Sequence, residues 1–275
     1  MIKRRIYKHK LIFKRRIKQK SEIDKILYFK NDMLMSLLKA FQLTKSNTHT
    51  KEDLAAFESV ENYRKKLLDD PTEVTYEVFS LDKKELVQNI CMKAVSTKKW
   101  CQFLYYLVKS VDNANVLEIG TNLGVSGSYI LEAMKPGNGK FISMEGLPKL
   151  CEISSKRFSE IVSPSRFEIL QGLYDHTFPQ LISNGEKFDI LFIDGNHKKE
   201  PTLEYFRKLK SSSIGNKALF VFDDIYWSEG MKEAWQIIRN DEDVNFSIDL
   251  YEQGVVIIDK NETSKGEKFD LHLAY

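Results

Sequence analysis

The chain has 275 residues, 42% of them hydrophobic and 29% charged, which suits a soluble globular protein of one α/β domain with a smaller appendage. Its three cysteines, Cys91, Cys101 and Cys151, are too scattered for a disulfide framework or a zinc site, and no apolar run is long enough to span a bilayer, so a cytoplasmic location is expected. The net charge of +3 is unevenly distributed: residues 1–20 hold ten Lys or Arg and no acid, leaving 32 basic and 39 acidic residues in the rest. Ile2, Ile6, Leu11, Ile12, Phe13 and Ile17 are scattered through this basic arm and form no signal-peptide core. The arm is expected to be a solvated, partly frayed terminus, with contact to nucleic acid or to an anionic membrane surface as the alternatives.

Beyond the arm, Ile26, Leu27, Met33, Leu34, Leu37, Leu38 and Phe41 recur at helical spacing over Ile23–Leu43. Thr50 followed by Asp53 signals a helix start, and Leu54, Phe57, Val60, Leu67 and Leu68 continue one face up to Pro71. Two more helical patterns cover Lys83–Val95 and Lys98–Val111. The second carries Trp100, Phe103, Leu104, Tyr106 and Leu107 and is expected to pack directly on a sheet.

From Asn115 the pattern alternates. Val116–Ile119, Phe141–Met144, Phe167–Leu170, Ile190–Ile193 and Leu219–Phe222 read as strands separated by helices, which predicts a parallel sheet covered on both faces. Phe246–Tyr251 and Val255–Asp259 flank Glu252-Gln253-Gly254 and read as a hairpin with glycine in its turn. The first strand runs into Glu118-Ile-Gly120-Thr-Asn122-Leu-Gly124, and the second ends in Glu145. A strand, a glycine-bearing turn, a helix and a second strand tipped by an acid make half of a nucleoside-binding unit. The glycines allow close approach of a ligand, and the acid can accept hydrogen bonds from two ribose hydroxyls.

This layout, with the E-x-G-x-x-x-G form of the first motif, resembles the class I methyltransferases that use S-adenosylmethionine. The resemblance implies a Rossmann-like sheet, mostly parallel with an antiparallel C-terminal hairpin, and an N-terminal helical extension. It divides the chain into a basic arm (1–20), a helical region (21–81) and a methyltransferase domain (82–275). It also implies that Glu118, Gly120, Thr121, Asn122, Gly124, Ser126, Glu145, Gly146, Gly172 and Asp194 bind the cofactor.

Two later strands end in acids: Phe188-Asp-Ile-Leu-Phe-Ile-Asp194, followed by Gly-Asn-His197, and Ala218-Leu-Phe-Val-Phe-Asp223-Asp224. In this fold the two are neighbours, so Asp194, Asp223 and Asp224 are expected to gather at the carboxyl edge of the sheet. Their mutual repulsion would be relieved by a hard divalent ion, Mg²⁺ first. The arrangement resembles metal-dependent O-methyltransferases of the catechol and macrolide-sugar types, which implies Asp194, Asp223 and Asp224 as metal ligands and His197, with Asp194, as catalytic. Plain helix capping by the aspartates is the competing reading. His9, His49, His176 and His272 lack such company and are expected to be structural or exposed.

The function expected is O-methylation of a hydroxyl on a small molecule or glycan. A nucleic-acid methyltransferase using the basic arm, or a non-catalytic module that only binds S-adenosylmethionine, are the alternatives. No amide-recognition motif of the Asn-Pro-Pro-Tyr kind and no cysteine nucleophile lies beside the cofactor strands, so a nucleic-acid partner is not expected. The first eighty residues are open to service as a lid, a dimer surface or a brace.

Overall fold

The structure is a computed structural model that describes the backbone of residues 2–274 and the side chains from Lys8 onward. Its elements in chain order are α1 (Ile2–Phe29), α2 (Asp32–Ser46), α3 (Lys51–Leu68), β1 (Glu73–Thr75), β2 (Lys84–Leu86), α4 (Val87–Ala94), α5 (Lys98–Lys109), β3 (Val116–Ile119), α6 (Val125–Met134) and β4 (Phe141–Glu145). They continue with α7 (Pro148–Ile161), β5 (Phe167–Gln171), α8 (Tyr174–Ser183), β6 (Phe188–Ile193), α9 (Lys199–Ser212), β7 (Ile214–Phe222), α10 (Glu229–Arg239), β8 (Phe246–Asp249), β9 (Gly254–Asp259) and β10 (Glu267–Asp270). Eight strands form one sheet in the order β10-β8-β9-β7-β6-β3-β4-β5. The five strands from β5 to β7 are parallel, while β9 runs antiparallel to both β7 and β8.

Both faces of the sheet are covered, which is why its strands read as continuous apolar runs. Side chains alternate between two cores. Val116, Phe141, Ile190, Phe192 and Val221 face the core that includes α5 and α6. Leu117, Ile142, Leu191, Ile193 and Phe220 face the core built with α8, α9 and α10. The chain leaves β3 toward β4 on one side and finds β6 on the other, so the strand order reverses beside β3. Ligands in open α/β sheets bind at the carboxyl ends of strands at such a reversal.

The N-terminal helices share the first core: Leu34, Leu37 and Phe41 of α2 and Phe57 and Val60 of α3 are buried together with Phe103, Leu104 and Leu107 of α5. The helix expected over Ile23–Leu43 is in fact two. Lys30 takes a left-handed backbone (φ 52°), and Asn31 caps α2 by accepting from the Met33 and Leu34 N–H groups, each at 3.1 Å. The capping box expected at Thr50 and Asp53 is present. Lys83–Val95 opens as strand β2, hydrogen-bonded to β1, and becomes helical only at Val87.

The basic arm is a correction. It is the first part of α1, continuous with Ile23–Phe29, and Ile12 and Arg15 are among the positions that hold it down. Ile12 and Arg15 are 3% and 4% exposed. The Arg15 guanidinium meets Asp249 Oδ1 at 2.7 Å and donates to the Asp249 carbonyl at 3.1 Å. Asp249, itself fully buried, also accepts from Trp235 Nε1, Tyr226 OH and the Tyr251 N–H. The described part of the arm is thus a helix with one side on the core, while Lys10, Lys14, Lys18 and Lys20 stay exposed.

The C-terminal hairpin corrects the sequence reading in a second way. Gly254 is the first residue of β9, and the residue with positive φ in the connection is Tyr251 (φ 80°). A Cβ on Gly254 would lie 2.6 Å from the Trp235 ring, so the glycine is there for helix α10 to pack on the strand. Strand β10, parallel to β8, was not legible: Glu-Lys-Phe-Asp has one buried side chain, Phe269.

Candidate active site

The turn after β3 is shaped by Gly120, whose φ of +102° strains any other residue. A Cβ there would stand 2.3 Å from the Asp194 carbonyl oxygen, so the turn can pass the end of β6 only without one. Beneath it, Glu118 is fully buried and accepts from the hydroxyls of Ser126 and Ser143, each at 2.6 Å. Thr121 Oγ1 and Ser143 Oγ lie 2.5 Å apart. Burial pushes the Glu118 carboxyl up to about 7, against the pull of the two serine hydroxyls. Glu118, Thr121 and Ser126 therefore brace the turn from below, with Gly124 as the left-handed cap of α6.

Glu145 ends β4 beside this turn. Its Oε2 accepts from the Asn122 N–H at 2.8 Å and its Oε1 from the Leu147 N–H at 2.9 Å. Burial raises its pKa, and these amides work against that rise. Each carboxylate oxygen has a further lone pair for a ligand hydroxyl. Glu145 lines a cleft of about 420 Å³ together with Gly146, Gly172, Tyr174, Asn196, Tyr205 and Phe79.

Phe79 is the residue that sequence reasoning missed here. It sits on the short 3₁₀ turn Glu77–Phe79 between β1 and β2 and is 44% exposed. Its ring tip occupies the space that a side chain at position 146 would take, since a Cβ on Gly146 would be 2.9 Å from Phe79 Cζ. The only sequence trace of this arrangement is an aromatic pair, Tyr76 and Phe79, in a stretch without periodicity.

At the ends of β6 and β7, Asp194, His197, Asp223 and Asp224 do come together. The Asp194 N–H bonds to the Ile119 carbonyl at 2.9 Å and the Asp223 N–H to the Ile193 carbonyl at 3.0 Å, which locks both strand ends to the sheet. His197 Nε2 lies 3.6 Å from Asp194 Oδ1 and 3.9 Å from Asp224 Oδ2. Burial and then the nearby Asp223 carboxylate hold the Asp194 pKa well above the ordinary carboxylate range. Asp223 is pushed up to about 7 by burial and then by Asp224, with the side chain of buried Gln253 working the other way. Burial lowers the His197 pKa, which favours the neutral ring, while Asp224 opposes this. Gln253 was read in the sequence as part of a turn; the antiparallel return of β9 brings it beside Asp223.

Among the described residues, no group of three or more His, Cys, Asp or Glu side chains is arranged to hold a metal ion. The metal expectation therefore rests on donor type. Three carboxylate side chains, two of them destabilised as anions by burial and by a neighbouring aspartate, are the oxygen donors that a hard divalent cation takes. His49 and His272 belong elsewhere: His49 bonds to Tyr106 OH at 2.7 Å, and His272 is buried near Lys45.

Residues 117–225, from β3 to just beyond β7, match the family model described as "Methyltransferase domain". This stretch of the chain is thus similar to a methyltransferase domain. The matched span includes Glu118, Glu145, Asp194, His197, Asp223 and Asp224. A catechol O-methyltransferase of Niastella koreensis is 33% identical over 126 residues, covering 45% of this chain and 55% of that protein. The chain thus spans about half the length of that curated relative. Among solved structures, the O-methyltransferase TomG from Streptomyces achromogenes, in complex with S-adenosylmethionine, superposes with a TM-score of 0.54 at 19% identity, over 78% of this chain and 92% of that one. The Bacillus cereus O-methyltransferase in complex with S-adenosylhomocysteine gives 0.56 at 18% identity, over 80% and 96%. At these identities the two structures speak to the fold alone.

Proposed function

We propose that the protein is an S-adenosylmethionine-dependent O-methyltransferase acting on a hydroxyl of a small molecule or glycan. The observation that carries this reading is Glu145: an acid at the end of β4, anchored by the Asn122 and Leu147 amides and facing a cleft beside the Gly120 turn. That is where an α/β sheet holds the ribose of a nucleoside. When bound, the cofactor supplies an electrophilic methyl group on a sulfonium. The acceptor hydroxyl that receives this methyl group would have to give up its proton to a base.

His197 is the base in this reading. Its neutral ring is favoured by burial, and Nε2 stands on the side of Asp194 and Asp224. Asp194, Asp223 and Asp224 would hold a divalent cation, whose chemistry is to acidify and orient the acceptor hydroxyl. Phe79 would form the outer wall of the adenosine site, filling the room left by Gly146.

Calorimetry with S-adenosylhomocysteine tests the cofactor half. The wild type should bind, and Glu145→Ala should weaken affinity by about tenfold or more, as expected for loss of a buried hydrogen-bonding carboxylate. Phe79→Ala should weaken it less and leave the melting temperature nearly unchanged, since the ring is half exposed. A folded wild type with no affinity for the ligand would remove the reading.

A further inference from the structure

The outward face of α1 has features that the cleft does not use. Phe13 and Ile17, one helical turn apart, are each 67% exposed. Lys10, Lys14, Lys18 and Lys20 stand exposed around them, and no acid occurs before Glu22. The helix cannot roll to hide the two apolar side chains, because Ile12 and the Arg15–Asp249 pair fix its other side to the core. The result is a rigid helix that presents a large aromatic and a large aliphatic side chain inside a one-sign field.

We propose that this face of α1 docks on an anionic lipid bilayer, with Phe13 and Ile17 entering the boundary between headgroups and acyl chains and the lysines meeting lipid phosphates. Helices lying in a membrane interface combine these two contributions. A nucleic acid would satisfy the lysines and leave Phe13 and Ile17 in water, so the pair of exposed apolar residues selects lipid. The same stretch of helix is tied to the active-site edge of the sheet. Lys8 meets Glu252 Oε1 at 3.1 Å, and its ammonium lies 5.0 Å from the centre of the Tyr251 ring. Both residues belong to the connection that carries Gln253 to Asp223. Docking would therefore hold the carboxyl edge of the sheet near the lipid surface. The docking itself does not depend on the catalytic reading.

The test is co-sedimentation of the full chain with vesicles of phosphatidylcholine alone and of phosphatidylcholine mixed with phosphatidylserine, at low and physiological salt. The wild type should pellet with the anionic vesicles only, and less so as salt rises. The Phe13→Ser/Ile17→Ser double variant should bind these vesicles about tenfold or more weakly, through loss of buried apolar area, at an unchanged melting temperature. Lys10→Gln/Lys14→Gln/Lys18→Gln should remove the salt-sensitive part. The proposal is overturned if the wild type ignores anionic vesicles, or if the apolar double variant binds them as well as the wild type. It is equally overturned if duplex DNA or RNA competes the protein off the vesicles through an interaction that Phe13→Ser/Ile17→Ser leaves intact. A wild-type dimer that this double variant splits into monomers would assign the face to a second copy of the chain and overturn it as well.

Discussion

At the residue scale, the carboxylates of this protein divide by what surrounds them. Glu118 is sealed under the glycine turn with both oxygens on serine hydroxyls, Glu145 is anchored by two main-chain amides at the cleft wall, and Asp249 is the buried anchor of Arg15. Asp194, Asp223 and Asp224 crowd one another, and His197 stands at that crowd. This separation makes a sharp expectation for His197. His197→Ala should lower turnover by about 10²–10⁴-fold, the range of a lost general base, while S-adenosylhomocysteine affinity measured by calorimetry stays within about twofold. If an ion also activates the acceptor, excess chelator should abolish wild-type turnover and added Mg²⁺ should restore it. Full turnover in chelator would leave His197 as the activating group and the aspartates as strand-end anchors.

At the element scale, two segments outside the matched domain help to build the site. The β1–β2 segment delivers Phe79 across Gly146, and the β8–β9 connection delivers Gln253 to Asp223. The second depends on how closely α10 packs on β9. Gly254→Ala places a methyl group 2.6 Å from the ring of the fully buried Trp235, and it has no flexible neighbour to displace. Overpacking of this kind typically costs about 1–3 kcal/mol, which urea denaturation should show as a lower midpoint with an unchanged slope. A variant as stable as the wild type would mean that Trp235 can shift. Read as a turn glycine, Gly254 would instead have led to a register fault in the hairpin.

At the scale of the whole molecule, the N-terminal helices share a core with the sheet. No helix among the described residues is long and apolar enough to cross a membrane. The contact between the N-terminal helices and the C-terminal segment has its own titration. His272 is 2% exposed, and burial, followed by Lys45, Arg16 and Arg15, lowers its pKa to about 4 from an ordinary 6.5. A histidine whose folded pKa is depressed favours the folded state above pH 6.5, and that advantage is lost as pH falls toward 4, because the unfolded chain takes the proton first. Stability should therefore drop by roughly 3 kcal/mol across that window. His272→Gln should flatten this limb relative to wild type in thermal melts run from pH 4 to pH 7. Parallel pH profiles for the two proteins would show that His272 does not titrate as the structure implies.

The sequence by itself determined the parallel sheet, the glycine turn after β3 and the acids at the ends of β4, β6 and β7. Strands buried on both faces must be apolar throughout, so each acid at the end of such a run is conspicuous and its place in the sheet follows. It also marked α5 as a buried helix through its large apolar residues. What only the tertiary structure decided lies where distant segments meet. Ten basic residues read as solvated, yet Arg15 enters the core because Asp249, 234 positions away, is waiting there without water. The break at Lys30–Asn31 is invisible in a run of helix formers, since a single left-handed residue and its cap cost little local pattern. Gly146 looks like any loop glycine until Phe79 is laid over it. Periodicity and strand-end chemistry are local properties, whereas burial of a charge or the space beside a glycine is a property of whichever segment arrives from elsewhere in the chain.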